Sequence, residues 1–400
     1  MKTILHISAD FPDPLVPAKT KAVATLIAGV EEYRHVVYSL NRVNWRTDIA
    51  MFPFGEDRIA LAYGAPPYGL RMLQNLAPVA EAIAKDLERR KIKPDLIHAH
   101  KFTVEGVIAD WIGARTGTSF IASLWGDTDT KIFESKPRLR PHYRCVGGRA
   151  AFLLPPAPWT TRYFSAALSL DESRFKLLPV TTAADQIIAP QPSGAPNLAT
   201  VFAWDSWRRK GFDALVHAVA LLAPDIPELS LDVYGRGGPK ALLEMAQLIE
   251  KTGVGDRVTL KHALDHGKVQ ETMNKYAAFV LPSRRETFGM VYVEALLAGA
   301  PILWSRDQGV DGLFDDVTIG YCCDPQAITD VADSLRLLLA QESRLKGEIR
   351  RLQEAGAFDH LRRAGIAARY RELLDAAMAP APQASAPQEA AAPIHDAEAA

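Results

Sequence analysis

Short β-rich apolar runs alternate with helix-period segments along almost the whole chain, and this alternation restricts the fold more than any other feature. In the first half, residues 3–8, 35–40, 95–100, 120–125, 151–154 and 175–178 read as strands, with helical patterns over 21–32 and 70–91. The second half continues with strands at 199–203, 229–234, 258–261, 278–281, 301–304 and 319–322. Its helices are expected at 211–222, 239–251, 268–275, 291–298 and 328–342. Near-continuous apolar strands that each lead into a helix build parallel sheets covered on both faces. At 400 residues the chain exceeds the usual size of one core, so two such sheets are expected. The fold class is therefore α/β, with two doubly wound Rossmann-like domains facing each other across a cleft. Ligands of such sheets bind at the carboxyl ends of the strands. The first domain is expected over 1–180 and the second over 198–357. A linker at 181–197 separates them, where Ile-Ile-Ala-Pro-Gln-Pro-Ser-Gly-Ala-Pro breaks any regular pattern. A C-terminal helix over 358–377 packs back on the first domain. Residues 378–400, rich in Ala, Pro and Gln, are expected to be a disordered tail because they cannot bury enough apolar surface to fold.

Composition excludes several classes. A formal net charge of −1 gives no electrostatic basis for nucleic-acid binding. No apolar run approaches the length of a membrane span, and the opening Met-Lys-Thr-Ile-Leu-His-Ile is too short for a secretory signal. A cytoplasmic protein is expected. The three cysteines, Cys145, Cys322 and Cys323, have no metal-ligand spacing, and the adjacent pair reads as core.

One segment carries chemistry. The strand at 278–281 runs into Pro282-Ser283-Arg284-Arg285-Glu286-Thr287-Phe288-Gly289-Met290 and then into a helix. Gly289 lets backbone amides approach a ligand, and the unpaired N–H groups of a helix start suit a phosphate. Glu286 falls in the loop, while Glu294 lies about one turn into the helix, on a face with Val291 and Ala298. Two ionised carboxylates so placed can flank one ligand and accept hydroxyl hydrogen bonds. An isolated pair at this spacing would more often be a solvated acid and a helix-terminus acid. The strand, glycine turn, helix and closing Ala-Gly-Ala-Pro together favour the functional reading.

At these residues the chain resembles the family-4 retaining glycosyltransferases of GT-B fold, whose Glu-x7-Glu signature is similar to the run from Leu281 to Pro301. Three further stretches match in order: Arg209-Lys210-Gly211-Phe212-Asp213-Ala214-Leu215, Val233-Tyr234-Gly235-Arg236-Gly237-Gly238-Pro239 and Asp256-Arg257-Val258. The resemblance implies that Glu286 contacts the donor sugar, Glu294 the ribose, and the amides of Gly289, Met290 and Val291 the diphosphate. It places Lys210 on the diphosphate, with Arg209 and Phe288 completing the donor side and backbone near Ala263 and Leu264 holding the base. Alone, Lys210 would read as one more exposed base; its position before Gly211 at a helix start favours the functional role. UDP-sugar or GDP-sugar is the implied co-substrate, a glycan or lipid-linked molecule the acceptor, and peripheral membrane contact a further expectation. No cofactor and no metal are expected, since side chains supply the positive charge.

The pattern is broken in three places. Asp205 stands where the family has an arginine, Trp125 replaces a histidine in Ser123-Leu124-Trp125-Gly126-Asp127-Thr128-Asp129, and the loop after the first strand lacks the glycine pair. Asp127, Asp129, Trp125 and His100 are the acceptor-side candidates. A lone His100 is more often structural than functional. The basic run at 138–144 could meet anionic headgroups but reads more simply as a solvated loop. These departures keep a second reading open, a non-catalytic GT-B relative acting as a binding or assembly partner. A nicotinamide-dependent oxidoreductase is disfavoured, because Ser8-Ala9-Asp10-Phe11-Pro12 follows the first strand instead of Gly-x-Gly-x-x-Gly.

Overall fold

The structure is a computed structural model that describes residues 1–43 and 48–379. The chain divides into two compact units. Among the described residues, the first holds Met1–Pro156, Thr161–Leu178 and residues 366–379; the second holds Ala157–Thr160 and Pro179–Gly365. Both are Rossmann-like, so the expected α/β class is what the chain adopts.

The first unit contains β1 (Thr3–Ser8), β2 (Arg34–Val43), β3 (Ala50–Pro53), β4 (Arg58–Gly64), β5 (Leu96–Ala99), β6 (Phe120–Ser123) and β7 (Leu153–Leu154). They lie in the order β3-β4-β2-β1-β5-β6-β7. Every ladder is parallel except β3–β4. All six residues of β1 are buried, as a central strand with both faces covered requires. Leu73, Leu76, Val79, Ala80, Ile83 and Leu87 recur at helical spacing along the helix Met72–Arg89, and their buried stripe packs on the sheet core. The helix Arg363–Met378 covers another part of this unit, with Ile366, Tyr370, Leu373 and Leu374 set among Ile4, Val30, Leu96 and Ile121.

The second unit contains β8 (Asn197–Val201), β9 (Ser230–Gly235), β10 (Val258–His262), β11 (Ala278–Val280), β12 (Ile302–Ser305) and β13 (Gly320–Cys323). The order is β10-β9-β8-β11-β12-β13 and every ladder is parallel. The chain therefore winds one way from β8 to β10 and the other way from β11 to β13. The order reverses between β8 and β11, where a crevice opens at the carboxyl edge of such a sheet.

Three elements differ from expectation. The β3–β4 hairpin was not legible, because alanine alternates through Ile59-Ala60-Leu61-Ala62 and weakens the β signal. Residues 175–178 form no strand; they meet the first sheet through an isolated bridge from Leu153 to Phe175 and a hydrogen bond from Leu178 N–H to Pro155 O at 2.9 Å. The segment 181–197 is a strap, fixed along the second unit. Ile188 N–H donates to Leu297 O at 2.8 Å, Asn274 Nδ2 to Ala189 O at 2.9 Å and Lys346 Nζ to Gln191 O at 2.6 Å. Of the expected tail, residues 380–400 lie outside the described residues.

Candidate functional site

The loops after β8 and β11 meet at the switch point of the second sheet, and their packing is set by a glycine. Gly211 has φ +71°, and a Cβ there would lie 2.0 Å from the Pro282 carbonyl oxygen, so only glycine lets the loops touch. Arg284 locks the contact. Its amide donates to Arg209 O at 2.8 Å, and its guanidinium bonds both oxygens of Asp213 at 2.7 and 2.8 Å and Arg208 O at 2.7 Å. Such a bidentate pair holds geometry as well as charge.

Locked in this way, the loops bring Lys210 Nζ and Glu286 Oε2 into an ion pair, with side chains only 15% and 12% exposed. Two residues that lie 76 apart in sequence thus share one spot at the switch point. The loop after β12 steadies Glu286. Its N–H donates to Gln308 Oε1 at 2.8 Å, and its carbonyl accepts Gly309 N–H at 3.0 Å.

Gly289 opens the helix Met290–Leu297 in the left-handed region, φ +73°, and a Cβ there would sit 2.5 Å from the Tyr292 ring. The first N–H groups of that helix have no intrahelical acceptor by construction. Met290 is exposed and Val291 half-buried, whereas the Phe288 ring is buried in the core. Phe288, expected on the donor side, can therefore reach a ligand through its backbone only. Glu294 is 9% exposed. Burial pushes its carboxyl up to about 7, against the opposing effect of hydrogen bonds from the Ala184 and Ala183 amides. Ala263 and Leu264 follow β10 at the same carboxyl edge; Ala263 is exposed and Leu264 packs on the small cluster of Ala199, Tyr234 and Tyr276.

Asp205 has a structural use. Its Oδ1 accepts the Gly238 N–H at 3.0 Å, at the cap of the helix Pro239–Thr252. Arg208 is also engaged, lying 4.1 Å over the Trp207 ring and bonding Glu244 at 2.8 Å. Arg209 is half-buried on the loop beside Lys210.

In the first unit the acceptor-side candidates separate. Trp125 and Asp127 are half-buried on the loop after β6. Asp129 points inward, where it accepts N–H bonds from Thr103 at 2.8 Å and Trp125 at 2.7 Å and the Thr103 hydroxyl at 2.6 Å. It is a buried anchor, because its short side chain reaches back to the amides of its own loop and of the neighbouring turn. His100 is buried too, 3.1 Å from His6. Both differ from the acceptor-facing position expected of them.

The switch point of this first sheet, between β1 and β5, carries residues that sequence reading missed. Lys101 pairs with Asp10 at 2.7 Å. Glu105 is fully buried and accepts the Ala9 N–H at 2.7 Å, and burial pushes its carboxyl up to about 8. Glu105 lies on a π-helical turn, Phe102–Gly106, which no residue periodicity announces. The available signal was the charge following His100 at a strand end.

Residues 200–356 match the family described as glycosyl transferases group 1. A D-inositol 3-phosphate glycosyltransferase of Arthrobacter is 30% identical over 288 residues, covering 66% of this chain and 68% of that protein. The GtfA subunit of a UDP-N-acetylglucosamine–peptide N-acetylglucosaminyltransferase of Streptococcus parasanguinis is 33% identical over 94 residues, 24% of this chain. The chain spans 18% of that relative and 28% of its Streptococcus pneumoniae counterpart. Among solved structures, Anabaena HepE in complex with UDP superposes with a TM-score of 0.66 at 15% identity, covering 94% of this chain and 100% of that one. The fold is that of the GT-B glycosyltransferases.

Proposed function

The chain belongs to the group 1 glycosyltransferases, and from that premise we propose that it is a retaining enzyme using a UDP- or GDP-sugar. The acceptor is a glycan or a lipid-linked molecule in polysaccharide or glycoconjugate synthesis. The observation that carries this reading is the Lys210–Glu286 pair at the switch point. A donor diphosphate entering there draws Lys210 away from Glu286. The ammonium and the amides at Gly289, Met290 and Val291 then face the developing phosphate charge, while Glu286 becomes available to the sugar hydroxyls. Glu294 accepts the ribose hydroxyls. Backbone at Ala263 and Leu264 meets the base, and Arg209 adds positive charge. The bond from the anomeric carbon to the phosphate oxygen breaks, and a bond to the acceptor oxygen forms on the same face. The acceptor proton passes to the departing phosphate. This scheme uses no metal and no cofactor.

Trp125 and Asp127 contribute on the acceptor side, and the protein works in the cytoplasm with peripheral membrane contact. Among the described residues no helix is long and apolar enough to cross a membrane.

The test is turnover. The protein is incubated with a panel of UDP- and GDP-sugars and carbohydrate or lipid-linked acceptors. Nucleotide release is followed, and the product's anomeric configuration is read by NMR. Release with retained configuration is expected. An inverted product contradicts the retaining assignment, and nucleotide binding without transfer across the panel favours a binding partner.

A further inference from the structure

One face of the first sheet carries a cluster of imidazoles that the proposed chemistry does not use. His6 on β1 lies in register with His98 on β5, and His35 stands on the neighbouring β2. One nitrogen from each of His6, His98 and His100 lies within 4.8 Å of the others, and all three residues are buried. Among the described residues no other three His, Cys, Asp or Glu side chains converge in this way.

The surrounding hydrogen bonds decide which nitrogens carry protons. His35 Nε2 is 2.8 Å from the Val30 carbonyl, which can only accept, so Nε2 bears the proton. His35 Nδ1 of a neutral ring is then an acceptor, and His6 Nε2, 2.9 Å away, donates to it. The His6 Nδ1 lone pair is left facing His100 Nε2 at 3.1 Å. Through His35, the Val30 carbonyl thus selects the His6 tautomer that a metal ligand requires. On the other side, His98 Nδ1 lies 2.6 Å from the Tyr370 hydroxyl and Nε2 lies 2.9 Å from Ser123 Oγ. Outer partners of this kind orient ligating imidazoles and raise their basicity.

We propose that His6, His98 and His100 form a binding site for one late first-row transition ion of the Zn(II) type, with Ser123 Oγ beside the His98 donor. An all-imidazole set suits Zn, Co, Ni or Cu, and without carboxylates it does not suit Ca or Mg. Binding asks His100 only to move its proton from Nε2 to Nδ1. The ion would tie β1 to β5 and, through Tyr370, to the helix Arg363–Met378. It plays no part in sugar transfer.

The full chain, stripped with a chelator and passed through a desalting column, is loaded with Co(II) and desalted again. Retained metal and the visible bands of four-coordinate Co(II) are then measured. One ion per chain is expected, lost in His6→Gln and kept in His217→Gln. His35→Leu keeps all three ligands but removes the group that fixes the His6 tautomer, and it should weaken affinity about 10–100-fold. Well under one ion per chain, or equal binding by His6→Gln, overturns the proposal. Where His6→Gln does not melt cooperatively, His35→Leu decides, and an unchanged affinity overturns it. A hydrogen-bonded core network without metal gives the overturning results in every arm.

Discussion

At the scale of single residues, the proposed scheme requires the Lys210–Glu286 pair to separate when the donor binds. Lys210→Ala leaves Glu286 without its cation and a bound diphosphate without its ammonium. Turnover should fall on the order of 100–1,000-fold, the usual loss when one fixed donor to a developing anion is removed. Steady-state kinetics check this. Gly211→Ala acts through shape. With φ at +71° and the Pro282 oxygen 2.0 Å from the new Cβ, it should cost at least about 2 kcal/mol, measured by urea denaturation. Glu294 gives a pH signature. Its carboxyl is raised from 4.5 to about 7, so the folded chain keeps a proton that the unfolded chain loses. Stability contributed by this group is present at low pH and falls as pH rises from 4.5 towards 7, by up to about 3 kcal/mol. In the proposed scheme, ribose hydroxyls donate to Glu294 and so favour its ionised form. Nucleotide affinity should therefore tighten as pH rises from 6 to 8, on the order of tenfold, and Glu294→Gln should flatten the dependence. Lys210, Glu286 and Glu294 could be picked out of the sequence, because glycine turns and helix starts beside them are written in residue types. Which partner each would face could not, since Ala183 and Ala184 lie over a hundred residues from Glu294.

At the scale of elements, the strand–turn–helix from Ala278 to Leu297 was readable, since its period changes from strand to helix across Gly289. Asp205 was harder. From sequence it stood out only as an acid in the position where the family has an arginine, whereas the fold turns it onto the Gly238 N–H. Asp205→Ala should therefore cost about 1 kcal/mol, as loss of one side-chain hydrogen bond to backbone does, and leave nucleotide affinity unchanged. Denaturation and calorimetric titration of the variant separate the two effects. The 181–197 strap was read as a linker because prolines and glycine break its pattern. What holds it are backbone carbonyls met by Asn274, Lys346 and Gln353, and acceptors of that kind leave no trace in a local sequence window.

At the scale of the whole molecule, each unit repeats one plan, with the strand order reversing beside its first strand. The plan was legible because most strands, β1, β4, β5, β6, β8, β9 and β11 among them, lead into a helix; the unit boundaries were not, because the chain crosses between units more than once. The helix Arg363–Met378 returns to the first unit, where Leu374 is fully buried. Leu374→Ala should destabilise by about 2–5 kcal/mol, the usual cost of such a core cavity, and thermal melts followed through the first unit's tryptophans would register it. The proposed transfer requires above all that the β8–β11 switch point bind a nucleoside diphosphate. Calorimetric titration of the full chain with UDP and with GDP, repeated on Lys210→Ala and Glu294→Ala, tests it most directly. One site per chain is expected for one of the two nucleotides, weakened in both variants. No heat with either nucleotide, or equal affinity in the variants, would contradict it.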